Sequence, residues 1–481
     1  MLSSPRGILT ALDHSARTGR RSDAEAKERR TMAALSSLGS LGSVPAAPGR
    51  IPLAGHVLQL WRRPLAFLAS LRPKGGMVRV DVGTSSVYLV TDPDLAHEAL
   101  VTKAASLGRG RVYERLRPVL GSGLVTSEGD VHQRQRRLVL SALHRVPAAE
   151  HTAISVHHAE ELIAAWRPGE MVRVDEAMFD LVLGILLEAV FSSGLDRSAA
   201  AEIRYSTRVV SKGALARAIT PQMLDRLPRS PHQSYDAAAA RLRFVLDALI
   251  KERRGAEGDF DDLLSLVMSV RDPETGTAMS DGRIRDELMA MLMSGTEAAS
   301  ATLAWTFHEL ARHPKAADRL REEVDTVLGG RPCTHDDLAR LEYTQRVLNE
   351  VIRLHSAPLL LRRTTAPVKI GGVHFPEGIE LAISPYAVHR NPWLFRFPDR
   401  FTPDRWRTAE GSRLLPHGAF IPFGDGDRRC VGDAFAWTEM TVAVATVCSR
   451  WRMRPAYWHT VREVPAATPR PDAMPMIAER R

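Results

Sequence analysis

The chain has 481 residues, of which 25% are charged, and a formal net charge of +9. Three cysteines, Cys333, Cys430 and Cys448, are too few for a disulfide framework in so long a chain, and they suit a reducing cytoplasm. A basic balance admits an acidic partner, but the arginines are scattered and no nucleic-acid motif is present, so nucleic acid is not expected as a partner.

Residues 1–44 are rich in Arg, Ser, Ala and Gly and lack apolar periodicity. They are expected to be a disordered extension, with Met32 an alternative initiator. They contain no signal-peptide core. Length alone suggests about three domains, yet no linker interrupts residues 50–470, so residues 45–481 are expected to form one domain. Residues 77–82 alternate apolar and polar side chains, which predicts a strand. Residues 87–90 follow after Gly83-Thr84-Ser85-Ser86, which predicts a hairpin. From about residue 93 helical periodicity dominates. No apolar run reaches membrane-spanning length: residues 181–191 contain Glu188 and read as a buried helix. Residues 281–311 lack proline and contain glycine only at 282 and 295, and they are long enough to cross a domain core. Short strands are expected at 368–370 and 381–384. The sum is a mainly helical body with a small sheet.

Several clusters carry chemistry. His132 and Arg136 are four apart and share a helix face, which by itself is an ordinary solvated basic face. Glu350 and Arg353, three apart in a helix over 341–355, also share a face; an exposed pair of this kind contributes little. The segment Phe423-Gly424-Asp425-Gly426-Asp427-Arg428-Arg429-Cys430-Val431-Gly432 is more specific. It sets one cysteine on a glycine-rich loop before an apolar helix, with a cation two residues earlier and an aromatic seven residues earlier. A haem iron held by thiolate needs such parts. Glycines let backbone N–H groups approach the sulfur, a helix starting at the cysteine adds its positive end, and arginine can neutralise a propionate.

With Ala434-Phe435-Ala436 and Glu439 continuing it, this segment resembles the haem-binding loop of the cytochrome P-450 superfamily. The resemblance covers about residues 45–470, with several motifs in family order. It implies a mainly α fold, a single large helical domain with a small β-sheet region, and haem b between the long central helix and the Cys-loop helix. Cys430 would be the axial iron ligand, backed by Phe423. His132, Arg136, Arg362 and Arg428 would surround the propionates. Glu350 and Arg353 would form a buried triad with Arg405, from Pro403-Asp404-Arg405-Trp406, or with Arg400 as the second choice. In Ser294-Gly295-Thr296-Glu297-Ala298-Ala299 the family pattern places a glycine that opens a groove for dioxygen, then an acid and a threonine that relay protons. Here Gly295 and Glu297 fix the register and the threonine position is Ala298, which has no hydrogen-bonding side chain. Ser294 and Thr302, each one turn away, can hold a water; some relatives with this change recruit a substrate hydroxyl. Leu292, Gly295, Leu359, Leu360 and Leu361 would line the substrate pocket.

The function implied is a soluble, cytoplasmic haem-thiolate monooxygenase that inserts one oxygen atom from O2 into a hydrophobic small molecule. The lead-in segment, residues 58–71, looks like that of actinobacterial members that oxidise cyclised terpenes, so a terpenoid of secondary metabolism is the expected substrate. A polyketide or fatty acid is the alternative. Ala298 keeps open a peroxide-driven or rearranging haem-thiolate enzyme; Glu297 argues against a mere haem sensor. No flavin or iron–sulfur segment is present, so ferredoxin and ferredoxin reductase are the expected electron donors to a monomer.

Overall fold

A computed structural model describes residues 39–481 apart from 193–194, 220–232, 257–261 and 408–414. Most of residues 1–44, read above as an extension, therefore lie outside the described residues. The last six do not. Leu41–Ser43 form a 3-10 turn, Val44 is buried, and His374 N donates to the Gly39 carbonyl at 2.8 Å. Leu41 and Val44 are spaced to drop onto the cluster containing Phe375 and Ile370, so the folded body starts earlier than the composition suggested.

The helices carry the fold. The ones used below are α1 (Val57–Arg62), α2 (Gly129–Leu143), α3 (Val174–Phe191), α4 (Asp281–Arg312), α5 (Glu342–Leu354) and α6 (Asp433–Arg450). The strands are β1 (Met77–Val82), β2 (Ser85–Val90), β3 (Leu107–Arg109), β4 (Leu360–Thr364) and β5 (Glu380–Ile383), with the two-residue pair β6 (Glu463–Val464) and β7 (Arg470–Pro471) near the end.

Helix α4 has 32 residues and so spans roughly 48 Å. It packs along α3, whose residues are apolar nearly all round, as a fully buried helix requires. Two apolar clusters meet on α4. One joins its C-terminal half to α5 and α6; the other joins its N-terminal half to α2 and α3. The expected hairpin β1–β2 is antiparallel, with Met77 opposite Val90. It extends into a five-stranded sheet of order β1-β2-β5-β4-β3, in which only β2 and β5 run parallel. The sheet lies beside the helical body and brings β3 against β4, segments far apart in sequence.

Candidate active site

One face of α4 is open although the helix runs through the core. Ser294, Gly295 and Ala298 are exposed there, and Met291 is half-buried. At 100° per residue these four fall within about 100° of arc, and Thr302 lies on the same stripe. The Ser294 hydroxyl donates to the Ala290 carbonyl at 2.7 Å, and the Thr302 hydroxyl donates to the Ala298 carbonyl at 2.9 Å. Both hydroxyls are thus spent as donors on their own helix but can still accept. A Cβ at Gly295 would stand 3.3 Å from Leu186, so a larger residue would press on α3.

Glu297 projects from the edge of the stripe towards the β6–β7 connection. Burial pushes its carboxyl up to about 7, opposed by the amides of Ala467 and Thr468 and by Arg470. That connection is tied to α4 by Trp305, whose indole N–H donates to the Pro469 carbonyl at 2.8 Å.

Leu292 does not line this opening. It is 1% exposed and packs in the cluster with Phe191 and Ile203, to one side of the stripe. The expected leucine trio also divides. Strand alternation puts Leu360 on the face of β4 that carries Arg362. Leu359 and Leu361 instead pack against the cluster of Phe67, Leu71 and Ala382.

Cys430 has a free thiol on an exposed stretch of the loop, and its N–H donates to the Phe423 carbonyl at 2.9 Å. The following helix begins at Asp433, with Gly432 as its N-cap, so the cysteine stands just before the helix rather than opening it. Gly426 has φ +64 and its Cβ would meet the Leu100 carbonyl oxygen at 2.1 Å. Only glycine fits there. Phe423 packs edge-on against Trp437. Although the sulfur is open on one side, the protein packed behind the loop desolvates it and raises the Cys430 thiol above its ordinary value, with the Gly432 amide and Arg136 opposing. A thiolate in this place calls for a metal cation, which deprotonates a coordinating thiol outright.

Cations converge beside the loop. Arg109 stands opposite Arg362 across the β3–β4 pair. Burial, then Arg109, lowers Arg362 to about 10; burial, then Arg109 and Arg362, lowers Arg428 to about 9, with Glu128 opposing. His132 is buried and is driven down to about 3 by burial and by Arg428, Arg109, Arg136 and Arg362. Arg428 reaches the Ser127 carbonyl at 2.6 Å, and Arg136 reaches the Arg429 carbonyl at 2.6 Å, one residue from Cys430. Like charges directly opposite on paired strands are destabilising, so this cluster is built for an anion. Haem carries two carboxylates, and four guanidinium groups beside a free thiol fit it. Sequence reading missed Arg109. Its signal is weak: an arginine between two glycines, whose partner is known only once β3 pairs with β4.

Behind the loop, Glu350 and Arg353 are both fully buried. The Arg353 Nε and Nη2 each lie 2.9 Å from the carboxylate. Arg405 Nε joins at 2.9 Å and Trp406 Nε1 at 3.0 Å. Arg400 supplies only its carbonyl to Arg353, and its guanidinium lies over the Phe397 ring.

Comparison with known proteins agrees with this geometry. The cytochrome P450 family profile matches residues 45–463. Cyclooctatin synthase of Streptomyces melanosporofaciens is 39% identical, covering 90% of this chain and 95% of its own. Cyclooctat-9-en-7-ol 5-monooxygenase of the same organism is 38% identical with the same coverage. Pentalenene oxygenase of Streptomyces avermitilis is 34% identical over 88% of this chain and 94% of its own. The crystal structure of the cytochrome P450DA heme domain superposes with a TM-score of 0.81 at 28% identity, covering 91% of this chain and 98% of that one. Members of this family take electrons from redox partners, and the chain belongs to it: it is a cytochrome P450, a haem-thiolate monooxygenase.

Proposed function

We propose that the Cys430 thiolate would hold the haem iron and that the enzyme oxygenates a cyclised terpenoid. The observation that carries the site is the four-arginine cluster, with Arg428 two residues from a free thiol and Arg136 bonded to the residue beside it. Arg109, Arg362, Arg428 and His132 would hold the propionates. The Glu350–Arg353–Arg405 triad fixes the loop behind the sulfur. Haem, when bound, supplies dioxygen activation and insertion of one oxygen atom. The chain's own residues bind and orient the substrate along the open face of α4, keep water out, and bring protons to that face.

Support for the substrate class comes from the relatives, whose names specify a cyclic alkenol and pentalenene. Met291 and Gly295 offer an apolar surface on α4 consistent with a hydrocarbon skeleton. A screen of terpenoids, fatty acids and macrolide-like compounds by shift of the haem absorbance band tests it; binding confined to fatty acids would replace the terpenoid reading. Ferredoxin with its reductase is the proposed electron source, acting on a monomer in the cytoplasm, where three free cysteines stay reduced.

Ala298 shapes proton delivery. Glu297 can carry a proton near neutral pH, but the next residue has no hydroxyl to pass it on. We propose that a substrate hydroxyl, or a water accepted by Ser294 or Thr302, fills the gap. A peroxide-driven reaction is the second reading, favoured by the same alanine. Dependence of turnover on O2 and reductant separates the two.

A further inference from the structure

We propose that the face formed by residues 50–63 and Val82 docks on the surface of an anionic lipid bilayer. The sequence from residue 39 to residue 80 contains Arg50, Arg62, Arg63, Arg72, Lys74 and Arg79 and not one Asp or Glu. The first acid, Asp81, is buried and is already engaged by Arg50 at 2.9 Å and Arg79 at 3.5 Å.

Large apolar side chains point outward from this basic stretch. Leu53 is 88% exposed and Trp61 is 78% exposed, and Ile51, Val57, Leu58 and Val82 are exposed with them. They form one local surface. Ile51 and Gly55 exchange backbone hydrogen bonds at 2.8 Å, His56 N donates to the Asp81 carbonyl at 2.7 Å, and Gly83 N donates to the Ala54 carbonyl at 3.2 Å. These bonds draw Val82 alongside the turn. On α1, Val57, Leu58 and Trp61 lie on one side, while Leu60 turns in towards the cluster shared with Leu359 and Leu361.

The surface is held firmly. His56 is fully buried, stacks on Phe67, accepts from Asp81 N at 3.0 Å and bonds the Ala47 carbonyl at 3.0 Å. Leu53 has φ +63, an unfavourable conformation for a bulky side chain, and the turn so made displays it to solvent. Arg62 and Arg63 are exposed beside Trp61, with no ion-pair partner among the described residues.

Apolar anchors with tryptophan, ringed by cations, are the composition that lies in a bilayer interface, and negative headgroups complement the missing acids. Helix α1 has six residues, and among the described residues no helix is long and apolar enough to cross a membrane, so the contact lies on the bilayer. An acidic protein would answer the charge as lipid does; the exposed tryptophan and leucine beside the cations, the composition of an interfacial anchor, favour the bilayer.

The experiment is co-sedimentation of the full-length holoprotein with phosphatidylcholine vesicles, with and without phosphatidylglycerol. The proposal expects binding to the anionic vesicles only, weakened by salt. Leu53→Glu with Trp61→Glu should abolish it, and Arg62→Glu with Arg63→Glu should weaken it at least about tenfold. Both variants should keep the carbon monoxide spectrum of the parent, which shows that they fold and hold haem. Three results would overturn the proposal: no binding to anionic vesicles at low salt, binding untouched by the substitutions, or a parent that dimerises through Trp61 and gains no lipid affinity when monomeric.

Discussion

Arg109 and Arg362 face each other across two antiparallel strands, and burial together with the Arg109 charge lowers the Arg362 guanidinium's preference for its charged form. The pair separates the needs of the polypeptide from those of its cofactor. Like charges directly opposite on neighbouring strands cost about 0.2–1 kcal/mol. Arg109→Gln is therefore expected to stabilise the apoprotein by up to about 1 kcal/mol while speeding haem loss. Urea unfolding of the apoprotein and haem transfer to an acceptor globin measure the two effects. Opposite signs are expected; a variant destabilised in both assays would remove Arg109 from the propionate site.

The Glu350 carboxylate holds Arg353, Arg405, Trp406 and the Thr402 amide at once. Arg353 also donates to the His389 carbonyl at 2.7 Å, and His389 Nε2 accepts from Ile421 N at 2.9 Å, two residues before Phe423. Breaking a buried pair strands a charge, at about 3–5 kcal/mol. Glu350→Ala should yield protein without haem, and Arg405→Ala should be milder because Arg405 is partly exposed. Haem content per polypeptide is the readout. A fully loaded Glu350→Ala of parental stability would refute the link to the loop.

Glu297 gives a pH dependence whose sign can be fixed. Its folded-state value lies near 7, above the ordinary carboxyl value. Between the two values the native chain holds a proton that the unfolded chain has lost, so stability falls as pH rises through that window. Glu287 and Glu439 are raised by burial as well, so Glu297 contributes only part of the slope. Glu297→Gln should flatten the decline between about pH 4.5 and 7 without inverting it. Denaturant midpoints at stepped pH provide the check, and an unchanged slope would mean that Glu297 is solvated.

Proton supply at Ala298 predicts a coupling defect that depends on the substrate. Removing a hydroxyl from a substrate that assists should turn product into peroxide, and Ala298→Thr should restore part of the yield. If water serves instead, Ser294→Ala or Thr302→Ala should raise the peroxide fraction with the natural substrate. Peroxide and product are measured together against oxygen consumed. Tight coupling on a pure hydrocarbon in all three variants would exclude both routes.

What the sequence revealed follows from locality. Glu350 and Arg353 are legible because three residues of helix set their spacing, and the Cys430 loop because its glycines, cation and thiol lie within ten positions. The long helix and the hairpin β1–β2 are legible for the same reason. Arg109 was not, since only the pairing of β3 with β4 gives it a neighbour. Leu292 was misplaced by a different cause. Its spacing of three from Gly295 suggests a shared face, but the open stripe centres near Met291, and Leu292 falls about 100° to one side. The leucine trio divides because a strand alternates its faces and sends Leu360 and Leu361 to opposite sides.

The central claim is that Cys430 holds the iron. The reduced carbon monoxide difference spectrum tests it most directly, on the parent protein and on Cys430→Ser, Cys333→Ala and Cys448→Ala. Cys333 and Cys448 are buried away from the loop, and burial raises both thiols, to about 11 and about 12. The red-shifted Soret band of thiolate ligation is expected in the parent and in the Cys333 and Cys448 variants, and its loss in Cys430→Ser. Persistence of that band in Cys430→Ser would contradict the assignment.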